Sequence, residues 1–270
     1  MKTKRMLGAV LGAAFLLGGV LQAGAELFSV NLWSPGRNWA EEWQQESWRD
    51  TVRMAGKTGG VWETDDWTDI DVSTIAAGNS TTFTGSEGTT ATFTIDAERN
   101  QSPYNWTTLR DGTTDPTENE AYMADGNATL LDAKLVGTER ENLVGGITVS
   151  GLTMDTYDVI IYLSMNSAQF GGGGNAGRGF ISFNGGDTTE WFIPSGQPPT
   201  TFTEIVNSGD TGNYIMYKGV TGSSFSAEFY GHDFNHGGIA GFQIIPEPGT
   251  VTVLGIGLGA LLLRRRLRKR

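Results

Sequence analysis

Short stretches of alternating apolar and polar residues, separated by glycine-rich turns, dominate the chain between residues 26 and 245. Over residues 89–95, Ala91, Phe93 and Ile95 fall on one side and threonines on the other, the period of two that marks a half-buried strand. Phe225, Ala227 and Phe229 alternate in the same way with Ser224, Ser226 and Glu228. Residues 157–165 differ. Tyr157, Val159, Ile161, Leu163 and Met165 make one face, yet Ile160 and Tyr162 render the opposite face apolar as well. That pattern predicts a central strand covered on both sides. Further strands are predicted over residues 27–32, 147–152, 179–183, 190–193, 214–220 and 239–245. A single helix is predicted, with Asn38 as its cap, Trp39, Trp43, Trp48 and Val52 on its buried face and Gly56 ending it. Residues 96–130 read as loop. Strands this short and numerous, without helices between them, predict an all-β fold: a jelly-roll-like β-sandwich with one short side helix.

Composition narrows the picture. With no cysteine, the chain has neither disulfides nor an acceptor for N-terminal lipidation, so stability must come from a buried core. Residues 26–245 are enough for one substantial core. Charge is concentrated unevenly: nine of the 19 lysines and arginines lie in residues 1–25 and 264–270, leaving ten against all 30 carboxylates between them. Residues 26–248, with a net charge of −20, are repelled by nucleic-acid backbones and anionic lipid, which excludes both as expected partners.

The two ends carry a different grammar. Lys2, Lys4 and Arg5 precede an apolar run over residues 7–21, and Ala23-Gly24-Ala25 offers a small-x-small cleavage site. This predicts a signal helix in residues 1–25, removed by signal peptidase after Ala25. At the other end, Pro246-Glu247-Pro248 is followed by an apolar stretch over residues 249–263 and then by Arg264, Arg265, Arg266, Leu267, Arg268, Lys269 and Arg270. As a helix that stretch would be about 22 Å long, short of the ~30 Å hydrocarbon layer, so it predicts a weak transmembrane helix with its basic end on the cytoplasmic side. In this order the three parts strongly resemble the PEP-CTERM sorting signal of Gram-negative bacteria. The resemblance covers residues 246–270 and implies recognition of Pro246, Glu247 and Pro248 by exosortase, a membrane protease-transpeptidase. The expected domains are therefore a signal peptide at 1–25, a β-sandwich at 26–245 and a sorting signal at 246–270.

The body also resembles a recurring domain of PEP-CTERM proteins with a galactose-binding-like jelly roll. The matching residues are Val149-Ser150-Gly151-Leu152 with residues 157–163, then Gly212-Asn213-Tyr214 with residues 221–225, and finally residues 239–245. They are strand patterning, so the resemblance implies a fold and no particular ligand.

Candidate chemistry is sparse. Six of the eight tryptophans lie between Trp33 and Trp67, and Trp62 with Trp67 would form a sugar-stacking platform if both were exposed, or anchor the core if not. Glu63, Asp65, Asp66, Asp69 and Asp71 surround them, and the last four offer oxygens to a structural Ca2+ ion, although the run lacks the spacing of an EF-hand loop. The ordinary alternative is a solvated loop. His232, Asp233 and His236 sit in a glycine-flanked turn where four-residue spacing lacks the helix that would make it a metal pair. The glycines at 171–174 precede no Gly-Lys-Ser/Thr, and no Gly-x-Ser-x-Gly element is present.

No catalytic residue or cofactor is nominated on these grounds. The leading expectation is an exported, non-catalytic structural or adhesive protein, held first in the inner membrane and then delivered to the cell surface or extracellular matrix. A carbohydrate-binding module acting on extracellular polysaccharide is the second reading. A polysaccharide-active enzyme is the third, and would need two convergent carboxylates.

Overall fold

The computed structural model describes residues 26–33, 53–54, 56–75, 78–96, 130–131, 135–137, 144–165, 177–193, 201–231 and 237–247. Within them the chain is nearly all β. In order come β1 (Phe28–Trp33), β2 (Thr68–Asp71), β3 (Ser80–Thr84), β4 (Thr90–Ile95), β5 (Leu135–Gly137), β6 (Gly145–Ser150) and β7 (Thr156–Met165). They are followed by β8 (Gly177–Phe183), β9 (Thr188–Ile193), β10 (Asp210–Thr211), β11 (Tyr214–Thr221), β12 (Ser224–Gly231) and β13 (Gly237–Pro246). A 3-10 turn at Val72–Thr74 follows β2. Every stretch predicted as a strand is one.

Two mixed sheets face each other in a β-sandwich-like body. The first runs β11-β7-β13-β1-β2, with β5 also paired to β13; the second runs β10-β9-β8-β12-β6-β4-β3. Most pairs are antiparallel, while β1 with β2 and β10 with β9 are parallel. Alternation explains the layering. Phe225, Ala227 and Phe229 of β12 and Ala91, Phe93 and Ile95 of β4 point inward and meet Phe28, Val30, Val159, Ile161, Phe242 and Ile244 from the first sheet. Phe242 stands at the centre, edge-on to Phe83 at 5.7 Å and Phe225 at 5.9 Å and stacked on Phe93 at 6.2 Å. Each fully buried aromatic or aliphatic side chain contributes about 1.5–3 kcal/mol of burial.

β7 is central, between β11 and β13, and its two apolar faces serve two cores. Tyr157, Val159, Ile161 and Leu163 enter the inter-sheet core, whereas Ile160 and Tyr162 join an outer cluster with Met54, Trp67, Leu130, Leu131 and Ala240. The outer face of the first sheet is thus roofed by chain from residues 53–54 and 56–67 together with Phe202, and a site is built there. Much of the predicted side helix, the signal segment, residues 97–129 and residues 248–270 lie outside the described residues. Gly56, expected to end the helix, is described and has a positive φ of 76°. Among the described residues no helix is long and apolar enough to cross a membrane.

Candidate functional site

The roof over the first sheet is a tight turn. Gly59 and Thr64 exchange backbone hydrogen bonds of 3.0 and 3.2 Å, so residues 60–63 loop out between them. Gly60 takes a φ of 98°, open to glycine and costly for any other residue. A Cβ there would also strike the Trp67 ring and the Gln243 amide at 2.8–3.0 Å.

Gln243 clamps this turn from below. It is fully buried on the outward side of β13, between inward-facing Phe242 and Ile244. Its Nε2 donates to the Trp62 carbonyl at 2.7 Å and to Ser29 Oγ at 3.1 Å. Its Oε1 accepts from the Trp62 N–H at 3.1 Å and from the Tyr162 hydroxyl. That hydroxyl in turn accepts the Val61 N–H at 2.6 Å. Both main-chain polar groups of Trp62 are therefore held by one side-chain amide, and the amide is saturated.

The clamp separates the two tryptophans. Trp62 is 43% exposed, whereas Trp67 is buried at 8%. Trp67 donates from Nε1 to the Thr64 carbonyl at 3.0 Å and leans on Tyr162 with ring centroids 6.1 Å apart. A two-ring platform is thus not what the turn presents: Trp67 anchors, and Trp62 alone faces solvent. Phe202 covers the other side of Tyr162 at 5.1 Å. It is positioned by buried Asn213, which accepts from the Thr203 N–H and donates to the Thr201 carbonyl, both at 2.8 Å.

The carboxylates do not gather. Asp65 and Asp66 are exposed. Asp69 Oδ1 accepts from Asn31 Nδ2 at 2.8 Å and from the Met54 N–H at 2.9 Å, so it ties β1 and the roof to β2. Among the described residues no group of three or more His, Asp or Glu side chains is arranged to hold a metal ion. The calcium expectation for Asp65, Asp66, Asp69 and Asp71 finds no such cluster here, because extended β2 and the turn before it spread these residues apart. Of the sorting motif, Pro246 ends β13 opposite Tyr157, and Glu247 is exposed with its N–H on the Thr156 carbonyl at 3.3 Å. Pro248, the cleavage residues Ala23 and Ala25, and the turn with His232, Asp233 and His236 lie outside the described residues.

Burial pushes the Tyr162 hydroxyl far above its ordinary value; the Val61 N–H it accepts offsets part of this and Tyr214 adds to it. Burial alone raises Tyr217. The sign follows directly. Above about pH 10 the unfolded chain releases these protons while the folded chain keeps them, so stability is full below that pH and falls as pH rises. We expect the unfolding free energy from urea titrations to fall from about pH 10 upward, and Tyr217→Phe to reduce that slope by up to ~1.4 kcal/mol per pH unit. A slope unchanged in that variant would show that Tyr217 does not contribute.

Sequence reasoning did not single out Gln243 or Tyr162 as site-forming. The available signal was one amide within the apolar run 239–245 and one phenol on the second apolar face of β7.

Comparison with known proteins adds little. No protein-family model matches the chain, and no curated protein matches it. Among solved structures it is similar to an exo-β-1,3-galactanase from Phanerochaete chrysosporium in complex with galactose, at 15% identity and a TM-score of 0.21. The match covers 62% of this chain and 26% of that one. A likeness at that score carries no argument about fold or activity.

Proposed function

We propose that this chain is an exported, non-catalytic structural or adhesive protein of a bacterial cell surface or extracellular matrix, sorted by an exosortase-type system. The observation that carries this reading is the order of three parts from residue 246 onward: Pro246-Glu247-Pro248, an apolar stretch and a basic block. The signal-like residues 1–25 support export, and the strongly acidic body suits a soluble exterior domain. We describe the body more finely as a jelly roll on the residues that resemble that domain. Signal peptidase and exosortase are its proposed processing partners, and the inner membrane is its proposed way-station.

Intact mass and fractionation from the native host test this. We expect a mature species beginning near Glu26 and lacking the basic tail, with processing lost when Pro246, Glu247 and Pro248 are all replaced by alanine. A wild-type chain still ending at Arg270 in the inner membrane would overturn the proposal.

A second reading, a carbohydrate-binding module, is favoured by one observation: the exposed indole of Trp62 sits on a turn that the buried Gln243 amide holds rigid. An aromatic ring fixed in advance loses little entropy when a sugar stacks on it.

A further inference from the structure

The outer faces of the two sheets are unlike. That of the first is roofed and apolar, whereas that of the second presents hydroxyls in register across four strands. Ser226 of β12 lies opposite Thr148 of β6, Thr148 opposite Thr94 of β4, and Thr94 opposite Ser80 of β3. Two residues along each strand the row recurs, from Ser224 through Ser150 and Thr92 to Thr82. All lie at the partly or fully exposed positions that alternate with the inward residues. Rows about 4.8 Å apart between strands and about 6.8 Å along them form a flat lattice. Ser80 and Thr94 hydroxyls already share a hydrogen bond at 2.8 Å within it.

Threonine suits strands, and cross-strand hydroxyl pairs contribute about 0.2–1 kcal/mol each. That accounts for hydroxyls in a sheet. It does not account for the lack of charge in both rows, since soluble surfaces are commonly about a quarter to a third charged. Residues 26–248 as a whole carry a net −20. Even β3, the last strand of the sheet order, has no lysine or proline of the kind that usually protects an edge. Along β12 the same face next carries Glu228, opposite Ser182 of β8, and then an aromatic pair, Tyr230 stacked on Phe180 with centroids 4.8 Å apart. Beside it Arg178 lies over Phe180 and is neutralised by an ion pair with Glu190.

We propose that this plane binds neutral polysaccharide, laid flat across β12, β6, β4 and β3 with the Phe180–Tyr230 pair to one side, past Glu228. Each serine or threonine hydroxyl both donates and accepts, which matches a partner whose own hydroxyls do the same. The two hydroxyl rows hold no charge to pair with a charged sugar, while Glu228 beside them and the acidic body repel polyanions, so the complementary polymer is uncharged. The aromatic pair supplies an apolar flank for the C–H surface of a sugar ring. The proposal deepens the adhesive reading above, on which it rests for the compartment where such polymer is met.

The test is affinity electrophoresis of the whole chain, in a zwitterionic detergent, through native gels containing hydroxyethylcellulose, a neutral β-galactan or alginate. We expect retardation by at least one neutral polymer and none by alginate. Thr148→Lys, at the centre of the plane, and Tyr230→Ala, at its aromatic flank, should each weaken it about tenfold. Thr82→Lys, on the outermost strand, serves if the central variant does not fold, which circular dichroism and melting decide. Trp62→Ala, on the other sheet's roof, should leave retardation unchanged. Migration unaffected by both neutral polymers would overturn the proposal. So would binding that survives the plane variants, or that is lost with Trp62→Ala. Because the assay uses purified chain, a failure of sorting in the host leaves its result intact, and the two proposals fail separately.

Discussion

Gly241→Ala is expected to destabilise the fold by about 3 kcal/mol or more, although it adds only one methyl group. Gly241 lies in β13, where the pairing with β7 shifts register between Ile239 and Gly241. The shift turns both Ile239 and Phe242 into the inter-sheet core while Ala240 faces the outer cluster. It also brings β1 close. A Cβ on Gly241 would sit well inside contact with the Val30 carbonyl oxygen, 3.0 Å from Leu130 Cδ1 and 3.4 Å from the Asn31 Cα. Two of those obstacles are backbone. A side chain can rotate away, but Val30 and Asn31 are themselves paired to Phe242 and Gly241 in the ladder. Relief therefore requires parting β1 from β13, the centre of the first sheet. At about 2–4 °C per kcal/mol for a body of this size, the melting temperature should fall by roughly 6–12 °C. Gly88→Ala is the control for a methyl group added at a glycine with nothing within 4 Å; its positive φ gives a smaller backbone cost. A Gly241→Ala melting temperature no lower than that of Gly88→Ala would refute the steric account.

The architecture was legible where burial imposed a simple period. β7 announced its two-sided position through Ile160 and Tyr162, and β4 and β12 through strict alternation. Other strands were hidden by their chemistry. β2 reads Thr-Asp-Ile-Asp, which looks like acidic loop; parallel pairing with β1 makes it a strand, and Asn31 satisfies Asp69 across that pair. β3 buries one large side chain, Phe83, among hydroxyl residues, and β5 and β10 are only three and two residues long. The candidate site was harder still. Trp62 and Trp67 have similar neighbours in sequence, and which one is exposed is decided by the Thr64 carbonyl and the Gln243 amide. The first is local, but the second joins residues 181 positions apart, which no local pattern can express. The hydroxyl plane is intermediate. Alternating threonines are visible in each strand, but their alignment into rows depends on strand order.

Gln243→Leu should have a comparable effect for the opposite reason, because the new side chain fits the volume but leaves the polar groups stranded. Four partners converge on the amide: the Trp62 N–H and carbonyl, the Tyr162 hydroxyl and Ser29 Oγ. A buried donor or acceptor left without a partner costs about 1–3 kcal/mol, whereas the hydrogen bond it replaces contributes only about 1. Water can reach the groups of Trp62, which sits on an exposed turn. It cannot reach Tyr162 and Ser29, both buried beneath it. Two stranded groups give a loss of about 2–6 kcal/mol, measured as a fall in denaturant midpoint at constant slope. The turn should respond as well as the fold. With both main-chain anchors of Trp62 removed, its indole should gain motion, seen as lower fluorescence anisotropy and faster amide exchange at Val61 and Trp62. Gln243→Glu separates the two effects, since a carboxylate accepts from Tyr162 and the Trp62 N–H but cannot donate to Ser29 or the Trp62 carbonyl. It should retain slower exchange at the Trp62 N–H than Gln243→Leu while still losing stability. If Gln243→Leu leaves both the midpoint and the exchange rates at wild-type values, the amide is not what holds the turn, and the case for a preset Trp62 falls with it.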